Sequence, residues 1–437
     1  MLLLLIVLLF SLLLLSYVLN KYELLAPSSL FTASIFFGVV WAYMYRDEWS
    51  LNLHDNTFWV IIGGVFTFII VALFTNELFS FEKESKNTVR SFEPIETWKL
   101  LIIVLIELFT IVYSIHEVRI ISPAGSLPES ISLYRAQSLS NSGNFDTSLP
   151  RVLNLLRTFT DAAGYFFGFV IVKRWAQKKK LDFFSLLIVF FSAVNSVLLG
   201  ARSALLTLMI CLAVYVYAFL KKKNSWSTKG NLKLVFIASL LFILVVFSFQ
   251  SLASMMGRDT SEYSFGYYLA IYFGAEIKNL DIFLQGTFPV QDGIFGGQTF
   301  IFLHKALAPY IGVNSQYYTL DLPFLSVNGL SLGNVYTTFY PFVYDFGYAG
   351  VPFLVGIMAI ISQISFKTFK HFSNRGVSIS VLIYSKIVAA LVLSFFSNKF
   401  YENIFNSGFI KTIVIWMILD WLLFLNKKFR VQREKNV

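Results

Sequence analysis

Gly200-Ala201-Arg202-Ser203 interrupts an apolar run that extends from Asn195 to Val214. A guanidinium in such a run is costly unless an anion or polar neighbours compensate it. If Arg202 opens a helix, it stands beside unpaired backbone N–H groups and the positive end of the helix dipole. A flanking glycine, those N–H groups and a planar guanidinium fork together suit a phosphate or pyrophosphate. The plainer alternative is an interfacial arginine whose head snorkels to the lipid headgroups. Two further arginines share a spacing: Arg135 and Arg258 each precede a glycine by eight positions, in "RAQSLSNSG" and "RDTSEYSFG". Either the spacing is coincidental, or a pair of arginines grips two phosphates through bidentate donors.

Glu107, Arg157, Asp161 and Lys386 also interrupt apolar segments, and ionisable groups inside a membrane are functional candidates. Arg157 and Asp161 are four apart, the spacing of a helical ion pair. A Glu107–Lys386 pair would be a second one, and either would also suit a proton-coupled transporter. Other chemistry has no motif in the chain. There is no Asp-x-Asp pair for a metal-bound nucleotide sugar, no phosphate-binding Walker loop and no His-Glu-x-x-His. A reaction here must therefore use a substrate already activated, with neither metal nor cofactor expected.

The elements that position these residues follow from composition. The chain is 57% hydrophobic and only 14% charged, well below the charge of a soluble domain. The fold expected is all-α: a polytopic integral membrane protein forming a single membrane domain over 1–437. One cysteine, Cys211, excludes an internal disulfide and a cysteine metal site. The formal net charge of +10 is first a topology signal, so no nucleic-acid partner is expected. The run Leu2–Leu19 lacks the preceding cation and the cleavage site of a signal peptide, and reads as a retained helix.

A helix needs about 20 apolar residues to cross a bilayer. Eleven segments qualify: 2–19, 27–44, 57–76, 98–115, 152–172, 181–199, 203–220, 233–250, 347–366, 378–397 and 408–425. A twelfth in 265–284 or 330–345 would change the parity. Cations collect at 173–180, 221–233, 367–375 and the tail after 427, with Lys83, Lys86 and Arg90 in agreement. With eleven helices these places share one side, which the positive-inside rule makes cytoplasmic. The N-terminus then lies outside and the C-terminus inside. Two long connections face outward, 116–150 and 251–346. Within the second, 264–285 reads as one helix whose other face is broken by Glu276, Lys278, Asn279 and Asp281. A short helix is expected near 299–310. A long structured connection of this kind is usually functional.

Two stretches carry a resemblance. "LLGARSAL" (198–205) resembles the Gly-x-Arg helix start, and "NVYTTFYPFVYDFGYAG" (334–350) the Asn-x-Tyr-Thr…Asp-Phe-Gly…Gly segment, of bacterial oligosaccharide repeat-unit polymerases of the O-antigen polymerase type. Many helices and a large second outer connection resemble that family as architecture. The resemblance implies a bacterial inner-membrane enzyme of surface polysaccharide (lipopolysaccharide O-antigen or capsule) biosynthesis. Its substrates would be undecaprenyl-pyrophosphate-linked oligosaccharides, its surroundings membrane lipids, and its functional neighbours a chain-length regulator and a flippase. A growing glycan moves onto one lipid-linked repeat unit: the acceptor hydroxyl attacks the anomeric carbon and lipid pyrophosphate leaves. Such a step needs fixed donors for the leaving charge, for which Arg202, Arg258 and Arg135 are available. It also needs a base, for which the outer connection offers Asp345, in the matched segment and next to a helix entering the membrane, ahead of Glu276 and His304. Aromatic faces that can carry sugar rings come from Tyr267, Tyr268, Tyr272, Tyr336 and Tyr340, with Asn334 beside them; interfacial anchoring is the plainer role for any one tyrosine. Alternatives are a ligase that moves finished glycan, which needs the same pyrophosphate grip, and a lipid-linked oligosaccharide flippase, which commonly shows repeated halves.

Overall fold

The computed structural model describes residues 1–79, 95–139, 148–200, 202–228, 230–236, 239–240, 243, 246–247, 263–286, 295–311, 322–372 and 376–425. Among these, eight helices are long and apolar enough to cross a membrane: α1 (Leu2–Leu19), α2 (Pro27–Met44), α3 (Asp55–Leu78), α4 (Thr97–Ile121), α6 (Arg151–Ala176), α8 (Arg202–Lys223), α13 (Gly350–Lys370) and Ser407–Phe424. The last comprises α16 (Ser407–Asp420) and a terminal π-turn (Trp421–Leu425). Two of the eleven expected segments form shorter apolar helices, α7 (Phe183–Val197) and α14 (Ile379–Val392). The run 233–250 lies partly outside the described residues, as do Lys83, Lys86, Arg90 and the cations of the tail. The protein is a multi-pass, predominantly helical membrane protein, to which one small β-hairpin is added among the described residues.

The helices show why they belong in lipid. On α4, Leu101, Leu105, Leu108, Phe109 and Val112 are exposed, whereas Glu107, Thr110 and Ser114 are buried. Apolar groups face outward and polar groups inward, the reverse of a water-soluble helix. Between α1 and α2 the polar groups satisfy one another: Ser16 Oγ donates to Ser28 Oγ at 2.9 Å, and Asn20 Nδ2 to Ser28 Oγ at 2.9 Å and to the Ser16 carbonyl at 2.7 Å. Hydrogen bonds of this kind are the specific contacts left to helices once the solvent is apolar.

The chain forms two compact units, each discontinuous in sequence: Met1–Phe81 with Thr260–Lys367 and Lys386–Ser407, and Glu82–Asp259 with Thr368–Ser385 and Gly408–Val437. In the first, α1–α3 pack together, and α9 (Phe265–Phe273), α10 (Ala275–Gln285) and α12 (Phe339–Phe346) pack on α2 and α3. The first unit also contains α11 (Ile301–Ile311) and α15 (Lys399–Ile404). The hairpin pairs β1 (Leu325–Val327) antiparallel with β2 (Leu330–Gly333). Asn328 and Gly329 join the strands with φ of 53° and 76°, the two positive values that a tight I′ turn requires. In the second unit α4, α6, α7 and α8 pack against one another, and α5 (Leu127–Leu139) packs on α4. Trp416 of α16 donates to the Ala162 carbonyl of α6 at 2.9 Å.

The segment 264–285 differs from the single helix expected. It breaks at Gly274, which lies against the backbone of Trp41 and Ala42; the second half is buried and the first partly so. Glu276, Lys278, Asn279 and Asp281 are all enclosed. The polar face is covered because its partners come from distant parts of the chain. Lys278 donates to the Ser50 carbonyl at 3.1 Å, and Asn279 to the Leu332 and Val335 carbonyls at 3.0 and 2.8 Å.

Candidate functional site

In the second unit Arg135 and Arg202 flank one turn. Gly200 adopts φ +71°, and a Cβ there would stand 2.9 Å from the Cβ of Arg135. Helix α5 is thus laid directly on the turn that leads into α8. Two residues on, Arg202 is the first residue of α8 and is only 7% exposed. Its side chain is enclosed by protein. Ala201 between them and Arg258 lie outside the described residues.

A third guanidinium joins this region. Arg157 of α6 is buried, donating Nη1–H to Ser114 Oγ and Nη2–H to the Asn195 carbonyl, both at 2.9 Å. Asn195 Nδ2 donates in turn to Asp161 Oδ1 at 2.8 Å, so Arg157 and Asp161 are joined through Asn195. Tyr134 sits beside both Arg157 and Arg135: burial pushes its hydroxyl above the ordinary phenol range, and the two guanidinium charges oppose that shift. Its ring belongs to an apolar cluster with Ile111, Val118, Ile131, Leu149, Leu153 and Leu198. This cluster seats α5, and so Arg135, on α4, α6 and the end of α7. The spacing of Arg157 to Asp161 suggests an isolated pair; its closeness to Tyr134 depends on the packing of α5, which no periodicity reveals. On α4, Glu107 is fully buried, and neither carboxylate oxygen has a hydrogen-bond partner among the described residues.

The first unit holds the remaining expected groups. Asp345 accepts from the backbone N–H of Thr299 at 2.6 Å and of Gln298 at 3.2 Å, fixing the turn before α11. Burial pushes its carboxyl above the ordinary range, while the donors of Thr299 and Gln298 pull it back. His304 Nε2 donates to the Phe295 carbonyl at 2.9 Å, and its Nδ1 is buried without a partner among the described residues. Glu276 is buried, and neither oxygen has a side-chain or distant partner among the described residues; burial drives its carboxyl well above the usual carboxylate range, opposed only by its own backbone N–H.

The tyrosines form two groups. Tyr267 donates to the Ser331 carbonyl at 2.9 Å, accepts from Trp49 Nε1 at 3.3 Å, and lies edge-on to Tyr45. Tyr268 meets Tyr272 edge-on at 5.3 Å, and Tyr272 stacks on Phe396. Tyr336 donates to the Pro323 carbonyl at 2.8 Å and packs on Tyr340 at 4.9 Å, which stacks on Tyr344. Burial raises the Tyr336 hydroxyl to about 12 and that of Tyr340 further. Tyr267, Tyr268, Tyr336 and Tyr340 are buried, whereas Tyr272, Tyr344 and Asn334 are half-buried. The first four are therefore packed inside the unit, and the half-buried ones have surface to offer.

Sequence reasoning missed His54. Asp281 of α10, fully buried, accepts at Oδ1 from the His54 backbone N–H (3.0 Å) and Thr57 Oγ1 (2.6 Å). Its Oδ2 lies 3.1 Å from His54 Nδ1 and 2.9 Å from Gln285 Nε2. The only signal in the sequence is a histidine just before a helix, which is weak. Among the described residues no three His, Cys, Asp or Glu side chains converge to hold a metal ion. No protein family, curated protein or solved structure matches the chain.

Proposed function

We propose that the protein is a lipid-linked glycosyltransferase of the oligosaccharide repeat-unit polymerase type. It joins undecaprenyl-pyrophosphate-linked repeat units into a surface polysaccharide at the outer face of a bacterial inner membrane. The observation that carries this reading is the convergence of Arg135 on the Gly200 turn that opens α8 at the enclosed Arg202. An enclosed guanidinium at a helix start favours an anion of high charge, and a pyrophosphate leaving group develops such charge as its bond to the sugar breaks. Arg157, whose charge like that of Arg135 acts on Tyr134, adds to the positive field of that region. We assign the half-open Tyr272, Tyr344 and Asn334 to saccharide contact, and the buried Tyr267, Tyr268, Tyr336 and Tyr340 to the framework behind it. We assign Asp345 to holding the turn at Gln298 and Thr299.

The topology belongs to the same proposal. Eleven crossings put the N-terminus outside, the C-terminus in the cytoplasm, and 116–150 and 251–346 on the outer face. Protein reconstituted in vesicles with an undecaprenyl-pyrophosphate-linked repeat unit tests the reading: it lengthens the glycan and releases undecaprenyl pyrophosphate, with no nucleotide sugar added. Unchanged substrate, in vesicles where the protein is folded, counts against it.

A further inference from the structure

Within the first unit, four polar side chains keep buried oxygens that no side chain or distant group among the described residues engages: Glu276 and Asn279 on α10, Thr338 just before α12, and Ser397 just before α15. Glu276 is 1% exposed, and Asn279 and Thr338 are 0% exposed. The contacts around them draw three segments together. Asn279 Nδ2 gives both of its hydrogens to the Leu332 and Val335 carbonyls, so its Oδ1 is turned away from them. At the start of α10, Phe273 packs on Phe395 and Tyr272 stacks on Phe396. A Cβ at Gly38 of α2 would meet both the Phe395 Cβ (3.2 Å) and the Phe273 carbonyl (3.7 Å). The Phe396 and Ser394 carbonyls in turn accept from the backbone N–H groups of Thr337 and Thr338, at 3.3 and 3.0 Å. Thr337 holds φ +66° there, a conformation rare for a β-branched residue. Glu276 thus lies between two tied points of α10, Phe273 and Asn279, which lead to the segments that carry Ser397 and Thr338.

None of these oxygens hydrogen-bonds to another, so a proton on Glu276 satisfies none of the rest. Bound water would meet the oxygens but leave a carboxylate charge uncompensated. The surrounding elements do not compensate it either. Helices α2 and α9 and the segments 334–338 and 394–398 carry no charged residue, and α3 and α12 contribute only the acids Asp55, Glu77 and Asp345. On α10 itself, Lys278 is drawn off toward the Ser50 carbonyl, and Asp281 is taken up by His54 and Thr57. One carboxylate, one amide oxygen and hydroxyls, with neither nitrogen nor sulfur, are the donors that a hard cation takes. A single carboxylate balances one positive charge.

We propose that Glu276, Asn279 Oδ1 and Thr338 Oγ1, with Ser397 as a further hydroxyl, bind a monovalent hard cation, Na+, inside the first unit. The ion ties the start of α10 to the segments 335–338 and 394–397. Its entry displaces the Glu276 proton, which passes to water. The site does not depend on the glycosyl-transfer reading.

The test uses the full chain purified in detergent and a Na+-free choline chloride buffer. Binding is read with radiolabelled Na+, and melting by intrinsic fluorescence at constant ionic strength. The expected result is one saturable Na+ site per chain and a melting temperature that rises as the site fills. Glu276→Gln keeps the shape but removes the charge, so it should melt cooperatively with no dependence on Na+. Thr338→Val keeps shape and loses only the hydroxyl; it should weaken Na+ binding roughly 10-fold or more, the least that loss of a supporting group costs a metal site. Should Glu276→Gln fail to fold, Thr338→Val decides. No saturable Na+ binding by wild-type protein that melts cooperatively overturns the site, and so does binding that either folded variant leaves unchanged.

Discussion

Arg135 and Gly200 touch across two elements: the Arg135 Cβ occupies the space, 2.9 Å away, next to where a side chain at Gly200 would begin. The contact explains why a glycine precedes the arginine of α8, since the turn needs both a positive φ of 71° and a missing side chain. Gly200→Ala therefore strains the backbone by about 1–2 kcal/mol and also pushes α5 away from α8. The expected outcome is a lower melting temperature in detergent and a loss of polymer per protein. Unchanged values of both would separate α5 from the function.

Arg202 is best tested by charge-conserving substitution. If it binds pyrophosphate through a bidentate fork, Arg202→Lys is impaired and Arg202→Ala more so. Loss of a hydrogen-bonded charge contact to a buried anion costs about 2–5 kcal/mol, roughly thirty-fold to several-thousand-fold in rate. A snorkelling anchor predicts the opposite pattern: Lys equals Arg, and Ala lowers only abundance. Polymer length per cell, normalised to membrane-inserted protein, distinguishes them.

Glu276 gives a prediction independent of function. Burial raises its carboxyl well above the usual carboxylate range. The folded protein thus holds a proton that the unfolded chain releases above a pH of about 4. Stability is therefore lost as pH rises from there toward the raised folded value. Glu276→Gln removes this dependence. Its melting temperature relative to wild type should rise between pH 4 and pH 8, measured in detergent by intrinsic fluorescence. A constant difference across that range would show that Glu276 is already ionised in the folded protein.

Asp345→Asn separates structure from chemistry. One amide oxygen can replace only part of a carboxylate that accepts from two backbone N–H groups. The expected cost is about 1 kcal/mol of stability, with polymer per protein retained. Collapse of the rate at normal abundance would instead make Asp345 the proton acceptor.

The contrast between these residues shows what the sequence can carry. Apolar run length marks membrane helices well: Leu2–Leu19 and Pro27–Met44 end where the runs end, because lipid thickness and hydropathy set both. The segment 264–285 is legible as helical but not as buried. Its polar residues look like a wet face, and their partners at Ser50, Leu332 and Val335 lie too far along the chain for periodicity to find. Arg202 is legible because a charge in an apolar run is costly on its face. His54 is not, since its meaning comes from a carboxylate 227 positions away. Asp345 is visible as a carboxylate before a helix, but the turn that it holds, at Gln298 and Thr299, precedes a different helix.

Orientation follows from labelling. Single cysteines at Ser140 and Asn328 should react with an impermeant thiol reagent in intact cells, and one at Lys179 should not. Cys211 is buried and adds little background. Labelling at Lys179 alone would invert the topology.

Polymerisation of lipid-linked repeat units is tested most directly by the glycans of cells lacking the protein. Such cells should carry one repeat unit per surface anchor, with normal chains restored by the wild-type protein. Full-length chains left on the carrier lipid, or repeat units trapped on the cytoplasmic face, would contradict it and indicate a ligase or a flippase respectively.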